Sequence, residues 1–244
     1  MEKKKLKTFS LVIVILLVSN IPFLLYLLSF RLAAFDEAYY RSEFQKYGVY
    51  SQFPGKDIDE INSNLLHYLM YDKTNNFIES DFFSQREKEH LLDVKRLVQF
   101  AIRFFYIIIL NIIILLAILA CTAKKLFGKI KNNLIKPLST ILIWGGILTL
   151  VYSFMLWYSA KINFMDLFTK FHQLFFKPGS WIFDTNIVKL YNQSFFYDIA
   201  AKIVLNTLIM ALIIIVIGLL LSNPKIKKYI NQRKEQLKRW QENR

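Results

Sequence analysis

Four stretches of the 244-residue chain hold no Asp, Glu, Lys, Arg or His: residues 8–30, 104–123, 138–160 and 203–224. Each is long enough to cross a hydrocarbon core of roughly 30 Å, which takes about 20 residues of helix. The 55 % hydrophobic content also exceeds the roughly 45–50 % of soluble domains. The chain therefore reads as an all-α membrane protein with four transmembrane helices, and residues 1–244 read as a single integral membrane domain. A basic MEKKKLK precedes the first stretch as it would precede a secretory signal, but the apolar run outlasts the roughly 7–15 residues of a signal core and RLAAF is a poor cleavage site, so it counts as a retained span.

Charge sets the orientation. The N-terminal tail, the connection 124–137 and the tail 225–244 are strongly basic, whereas residues 31–103 hold twelve acidic and ten basic side chains. By the positive-inside rule both termini and the connection 124–137 are cytoplasmic, and residues 31–103 and 161–202 form an extracytoplasmic cap. The net charge of +14 then reflects basic residues at the inner ends of the spans, attracted to anionic headgroups. A nucleic-acid partner is not indicated, because the basic tail lacks stacking aromatics and a recognition motif. The one cysteine, Cys121, rules out an intramolecular disulfide; at the inner end of the second span it reads as a small buried hydrophobe or a palmitoylation site.

The 73 residues between the first two spans are too many for a simple loop and must fold. Turn signals fall at FPGKD (53–57) and YDKTNN (71–76), and Ile58, Ile61, Leu65 and Leu69 recur at helical spacing. VYSQF and NNFIE read as short β-strands, giving a cap of mixed α and short β structure. Ser84 and Glu87 have the form of a capping box, and nothing after them breaks a helix before Gly128. Such a helix would be nearly 60 Å long, with its first turns standing out of the membrane and Lys95 and Arg96 marking the headgroup level. Arg86, His90, Asp93, Val94, Leu97 and Ala101 share one of its sides.

In KINFMDLFTKFHQLFFKPGSW, Phe164, Leu167, Phe168, Phe171, Leu174 and Phe175 make an apolar face, with Asp166, Thr169, Lys170 and Gln173 opposite. This pattern predicts an interfacial helix at the headgroup boundary, with His172 on the border of its two faces and Pro178-Gly179 at its end. Phosphate loops, nucleophile elbows and H-E-x-x-H motifs are absent. Histidines at 67, 90 and 172 with no cysteine partner do not make a metal-binding pattern, so no metal is expected. Taken singly, His90 reads as a solvated helix-start histidine and His172 as a boundary residue of an amphipathic helix.

Together the two stretches say more. SQREKEHLLDVK carries R-E-x-x-H-x-x-D-V leading into a span, and the second segment carries F-x-x-F-H-x-x-F-F before Gly and Trp. Both resemble the signature regions of the lipoprotein intramolecular transacylase (Lit) family of bacterial membrane proteins, and the resemblance extends to the layout of four spans and two outer segments. One departure is Tyr191-Asn192, where a turn proline is expected.

The resemblance implies a cofactor-free acyltransferase. It implies transfer of the sn-2 acyl chain of the diacylglyceryl group on a lipoprotein's N-terminal cysteine to the α-amino group of that cysteine, giving a lyso-form. The partners it implies are diacylglyceryl-modified lipoproteins and membrane lipids, and the catalytic pair it implies is His90 and His172. The residues suit such chemistry: converting an ester to an amide within one molecule needs no nucleotide, and a histidine near pKa 6.5 is matched to an amine near 7.7–8.0. Which histidine takes the amine proton is open. Asp93 one turn away favours His90 as base, with His172 as acid or oxyanion donor.

Asp93, Arg86 and Glu87 are candidates for orienting or oxyanion support. Arg86 is matched either to Glu87 or to an ester carbonyl. Phe168, Phe171, Phe175 and Trp181 are candidate walls of a pocket that folds the substrate and excludes water. Two other classes fit the same residues: a non-enzymatic membrane protein whose cap binds lipid or an envelope partner, and a lipid acyltransferase or hydrolase with another acceptor. A channel fits poorly, since no span holds a charge.

Overall fold

The computed structural model describes residues 2–127, 134–182, 185–224 and 240. Most of the basic tail 225–244 and the middle of the basic connection 124–137 lie outside the described residues. Among those residues the protein is all helical, in the order α1 (Glu2–Ala34), α2 (Glu37–Lys46), α3 (Val49–Gln52), α4 (Ile58–Met70), α5 (Gln85–Phe127), α6 (Ile135–Phe175), α7 (Asn186–Leu190) and α8 (Gln193–Ser222). Four of them, α1, α5, α6 and α8, are long and apolar enough to span a membrane.

The expected β-strands do not form. VYSQ is a single helical turn, α3, and NNFIE is irregular backbone. A lone aromatic run lacks a partner strand here, and the half-buried positions it offers are filled by helix packing instead. The helix starts follow their local chemistry: Asp36 and Asp57 cap α2 and α4 by accepting from Tyr39 N–H at 3.2 Å and Glu60 N–H at 2.9 Å. Asn192, in place of the expected proline, accepts from Phe195 N–H at 2.9 Å at the start of α8.

The chain divides into two compact units. Residues 1–25, 108–152 and 207–244 make the first. Its core is aliphatic, built from Ile13, Leu17, Ile21, Leu25, Leu119, Ile141 and Ala211. Glycines set the helix spacing there: a Cβ on Gly145 would meet Ile21 at 2.6 Å, and one on Gly146 would meet the Ala211 carbonyl at 3.0 Å. Ser139 crosses to the Gly218 carbonyl at 2.8 Å. Cys121 is exposed on α5, not buried as a small hydrophobe would be.

Residues 26–107 and 153–206 make the second unit. Its core is aromatic, with Tyr40, Phe44, Phe82, Phe83, Tyr191 and Phe195 among its members. Lys95, read from sequence as a marker of the headgroup level, has its side chain packed into this interior. Its side chain is 2 % exposed, pairs with Asp72 at 3.2 Å, donates to the Thr74 carbonyl at 2.9 Å and lies 4.1 Å above the Tyr68 ring. The ammonium is spent on pinning the turn after α4, whereas Arg96, one residue on, is exposed and bonded to Asp93 at 3.1 Å.

Candidate active site

The site grows from the first turn of α5. The capping box forms as the residues require: Ser84 N–H donates to Glu87 at 2.7 Å and Glu87 N–H to the Ser84 hydroxyl at 3.3 Å. The other carboxylate oxygen of Glu87 is aimed across at the start of α7, accepting from the Thr185 hydroxyl at 2.6 Å and Ile187 N–H at 2.7 Å. Glu87 is only 1 % exposed. Burial alone would raise its pKa, but the bonds from Thr185, Ile187 and Ser84 outweigh that and hold it below the usual value. Arg86 beside it donates to the Gly179 carbonyl at 2.6 Å. Arg86 thus holds Gly179 and Glu87 holds the start of α7, and Glu87, not an Arg86–Glu87 pair, is the anchor of α7.

One turn further along α5 is His90, 7 % exposed. Its partner arrives from α6, whose backbone leaves helical geometry at Asn163 (φ −159°, ψ 94°). The Asn163 side chain accepts from Asp166 N–H at 3.1 Å and so caps a second helical stretch, the one foreseen as interfacial. His172 lies near the end of that stretch, 8 % exposed. The two imidazoles stack at 24° with ring centroids 6.3 Å apart.

Aromatic rings close around the pair. Phe168 lies 4.0 Å from the His172 ring and Trp181 4.7 Å from it. Phe176 touches both histidines, at 4.9 Å from His90 and 5.3 Å from His172. Phe176 is the residue sequence reasoning missed; its position four residues after His172, on the same helical face, is the signal that would have found it. Phe171 meets His172 edge-on at 5.6 Å, but Phe175 packs tilted against Phe171 at 4.9 Å and is 47 % exposed, so it contributes to the outer apolar face more than to the pocket.

The ring nitrogens have defined roles. His172 Nδ1 lies 2.8 Å from the Phe168 carbonyl. A carbonyl oxygen can only accept, so Nδ1 carries the hydrogen, and Nε2 of the neutral ring holds the lone pair. Burial lowers the pKa of His172, against the pull of that hydrogen bond. Burial, reinforced by His172, pushes His90 down to about 4 despite the charge of Asp93. Both rings are therefore neutral at pH 7, each able to supply one N–H and one lone pair.

His90 also borders a cavity of about 300 Å³ shared with Arg86, Asp93, Lys177, Ser180 and Phe77. Asp93 reaches this cavity while bonded to Arg96. His67, in the last turn of α4, packs tilted against Tyr71 just after that helix, and among the described residues no three His, Cys, Asp or Glu side chains converge as a metal site.

An all-helical chain with four candidate spans defines a multi-pass membrane protein, and its second unit sets two buried, stacked histidines among aromatic rings. The profile of the family described as lipoprotein intramolecular transacylase Lit matches residues 13–196, and the chain belongs to that family. Membership supports lipoprotein transacylase activity in general terms.

The fold agrees with solved structures of the membrane integral lipoprotein intramolecular transacylase Lit from Bacillus cereus. One, a histidine-to-arginine variant, has a TM-score of 0.73 and 21 % identity over 92 % of this chain and 96 % of its own. A second has a TM-score of 0.70 and 20 % identity over 94 % and 99 %. An uncharacterized protein of Aquifex aeolicus (strain VF5) is 24 % identical over 140 residues, a match that spans 57 % of each chain.

Proposed function

We propose that the protein moves the sn-2 acyl chain of a lipoprotein's diacylglyceryl group onto the α-amino group of the same N-terminal cysteine, leaving an N-acyl, S-monoacylglyceryl lyso-form. The observation that carries this reading is the stacked His90–His172 pair, 6.3 Å between centroids, with Phe168, Phe176 and Trp181 packed against it.

His172 is the better placed proton carrier. Its Nε2 lone pair accepts the proton that the amine loses as the C–N bond forms, then returns it to the glycerol oxygen as the C–O bond breaks. One base serves both steps, so the cycle closes without a net proton or a cofactor. This reverses the assignment that Asp93 suggested, because Asp93 is engaged with Arg96 while Phe168 orients His172.

His90, depressed to about 4, is a poor acceptor but a good neutral N–H donor toward the carbonyl or leaving oxygen. Arg86, Glu87 and Asp93 act as supports of the segment and cavity around the pair. Both reacting groups hang from one cysteine, so holding them in an enclosed pocket supplies the proximity an intramolecular reaction exploits. Excluding water keeps the acyl chain from being hydrolysed.

The basic inner segments favour a cell-membrane protein with both termini cytoplasmic and the site on the extracytoplasmic face, where diacylglyceryl lipoproteins and membrane lipids meet it. Mass spectrometry of the N-terminal lipopeptide of a diacyl lipoprotein, from cells with and without this protein, tests the reading. One acyl chain moves to the amine with total mass conserved, and the product disappears in His90→Ala and His172→Ala variants that still insert and fold. An unchanged lipopeptide, or full activity in both variants, sinks it.

A further inference from the structure

The pocket contains a buried hydrogen-bond donor whose acceptor is not supplied by any of the described residues. The indole Nε1 of Trp181 is buried and has no acceptor among the described residues. An indole N–H can only donate, and leaving it stranded away from water costs on the order of 1–3 kcal/mol. Buried polar groups in folded proteins are rarely left in this state, and the exceptions cluster where a ligand or a reaction supplies the partner.

The placement is built, not incidental. Gly179 adopts φ +76°, a conformation that favours glycine, and the Arg86 guanidinium holds its carbonyl at 2.6 Å. Ser180 closes the turn with N–H and hydroxyl bonds to the Lys177 carbonyl at 3.1 and 2.9 Å. The ring so positioned lies 4.7 Å from His172, tilted at 39°. A side chain required solely for packing at that point has no need of a nitrogen; phenylalanine fills aromatic space without one.

We propose that the Trp181 indole N–H is a catalytic donor to the carbonyl oxygen of the ester being transferred. The inference rests on the transacylation reading above. When the amine nitrogen adds to the ester carbon, the C=O electron pair moves onto oxygen, and that oxygen becomes a strong acceptor. Trp181 bonds to it there and keeps its own proton. The pair returns as the C–O bond to glycerol breaks, and the amine proton reaches the glycerol oxygen through His172. A rigid, uncharged donor in a dry pocket is suited to this task, because it needs no reorganisation as the charge develops.

The test uses the full-length protein in proteoliposomes with a synthetic diacylglyceryl lipopeptide. Trp181→Phe removes the N–H, and replacement of Trp181 by benzothienylalanine removes it while keeping the bicyclic shape, sulfur standing for nitrogen. Loss of one such donor lowers kcat by about 10²–10³, and KM stays within about threefold because the bond forms mainly in the transition state. A benzothienylalanine protein that turns over within about threefold of wild type overturns the inference and leaves the transacylation reading intact, and it decides the matter even if Trp181→Phe fails to fold. A wild-type protein that leaves the lipopeptide unchanged overturns both.

Discussion

The two units hold their helices together by different means. In the first, contacts are specified by shape: Gly145 admits Ile21, Gly146 admits the Ala211 carbonyl, and the polar side chains mostly bond within their own helix, as Thr149 does to Gly145 at 2.8 Å and Thr122 to Ile118 at 2.7 Å. In the second, contacts are specified by charge and hydrogen bonds set in an aromatic core: Glu87 to Thr185 and Ile187, Lys95 to Asp72, and Lys202 to Asp36 at 2.8 Å.

Helices surrounded by lipid gain little from burying apolar surface against one another, so close approach does the work. A unit that must hold two histidines in register needs directional bonds. The second unit should therefore be brittle toward loss of one polar atom, and the first toward gain of one carbon.

The largest effect is expected at Glu87. Glu87→Ala leaves the Ser84 and Ile187 N–H groups and the Thr185 hydroxyl without their carboxylate, at a cost of about 3 kcal/mol. The start of α7 then loses its anchor to α5. Hydrogen exchange followed by mass spectrometry should show lost protection at 185–190 and at the first turn of α5, with transacylation falling alongside. Unchanged protection there would mean that the aromatic core alone sets the geometry.

The unequal legibility of the molecule has the same physical origin. The spans were readable because charge-free runs of that length have few other ways to fold, and the capping box at Ser84–Glu87 because both its partners lie within one turn. His90 and His172 were legible as a pair through motif resemblance. Their stacking, by contrast, depends on the break at Asn163 and on bonds spanning 98 and 100 residues, from Glu87 to Thr185 and Ile187. The burial of Lys95 was hidden for the same reason: its partners, Asp72 and Thr74, belong to a turn whose path is a tertiary result. Aromatic runs in the cap were ambiguous between strand and helix, and the choice fell to packing.

A smaller effect, and the complementary one, is expected in the first unit. Gly146→Val adds side-chain carbons where the Ala211 carbonyl would lie 3.0 Å from the new Cβ and Ile215 is nearer still. Relief requires α6 and α8 to shift, at about 2 kcal/mol. Thermal unfolding in detergent should move down while the protection pattern at 185–190 is kept. If the Glu87 and Gly146 variants lost protection in the same segments, the distinction between the two units would fail.

The smallest effect distinguishes the units by pH. Both histidines have pKa values lowered in the fold, chiefly by burial, with His90 at about 4. From about pH 7.5 upward neither state binds these protons appreciably and their contribution to stability is complete. As pH falls below 6.5 the unfolded chain takes up protons that the folded ring refuses, so stability declines until His90 itself protonates near 4. Between pH 7.5 and 5.5 the loss from His90 is about 1 kcal/mol. It should appear as faster exchange, corrected for intrinsic rates, in the segments 85–100 and 164–181 of the second unit. His90→Gln removes the titrating ring and should shrink the decline in that window. A decline of full size in His90→Gln would assign it to other groups and leave the histidine pair without a measurable role in the pH dependence of its own unit.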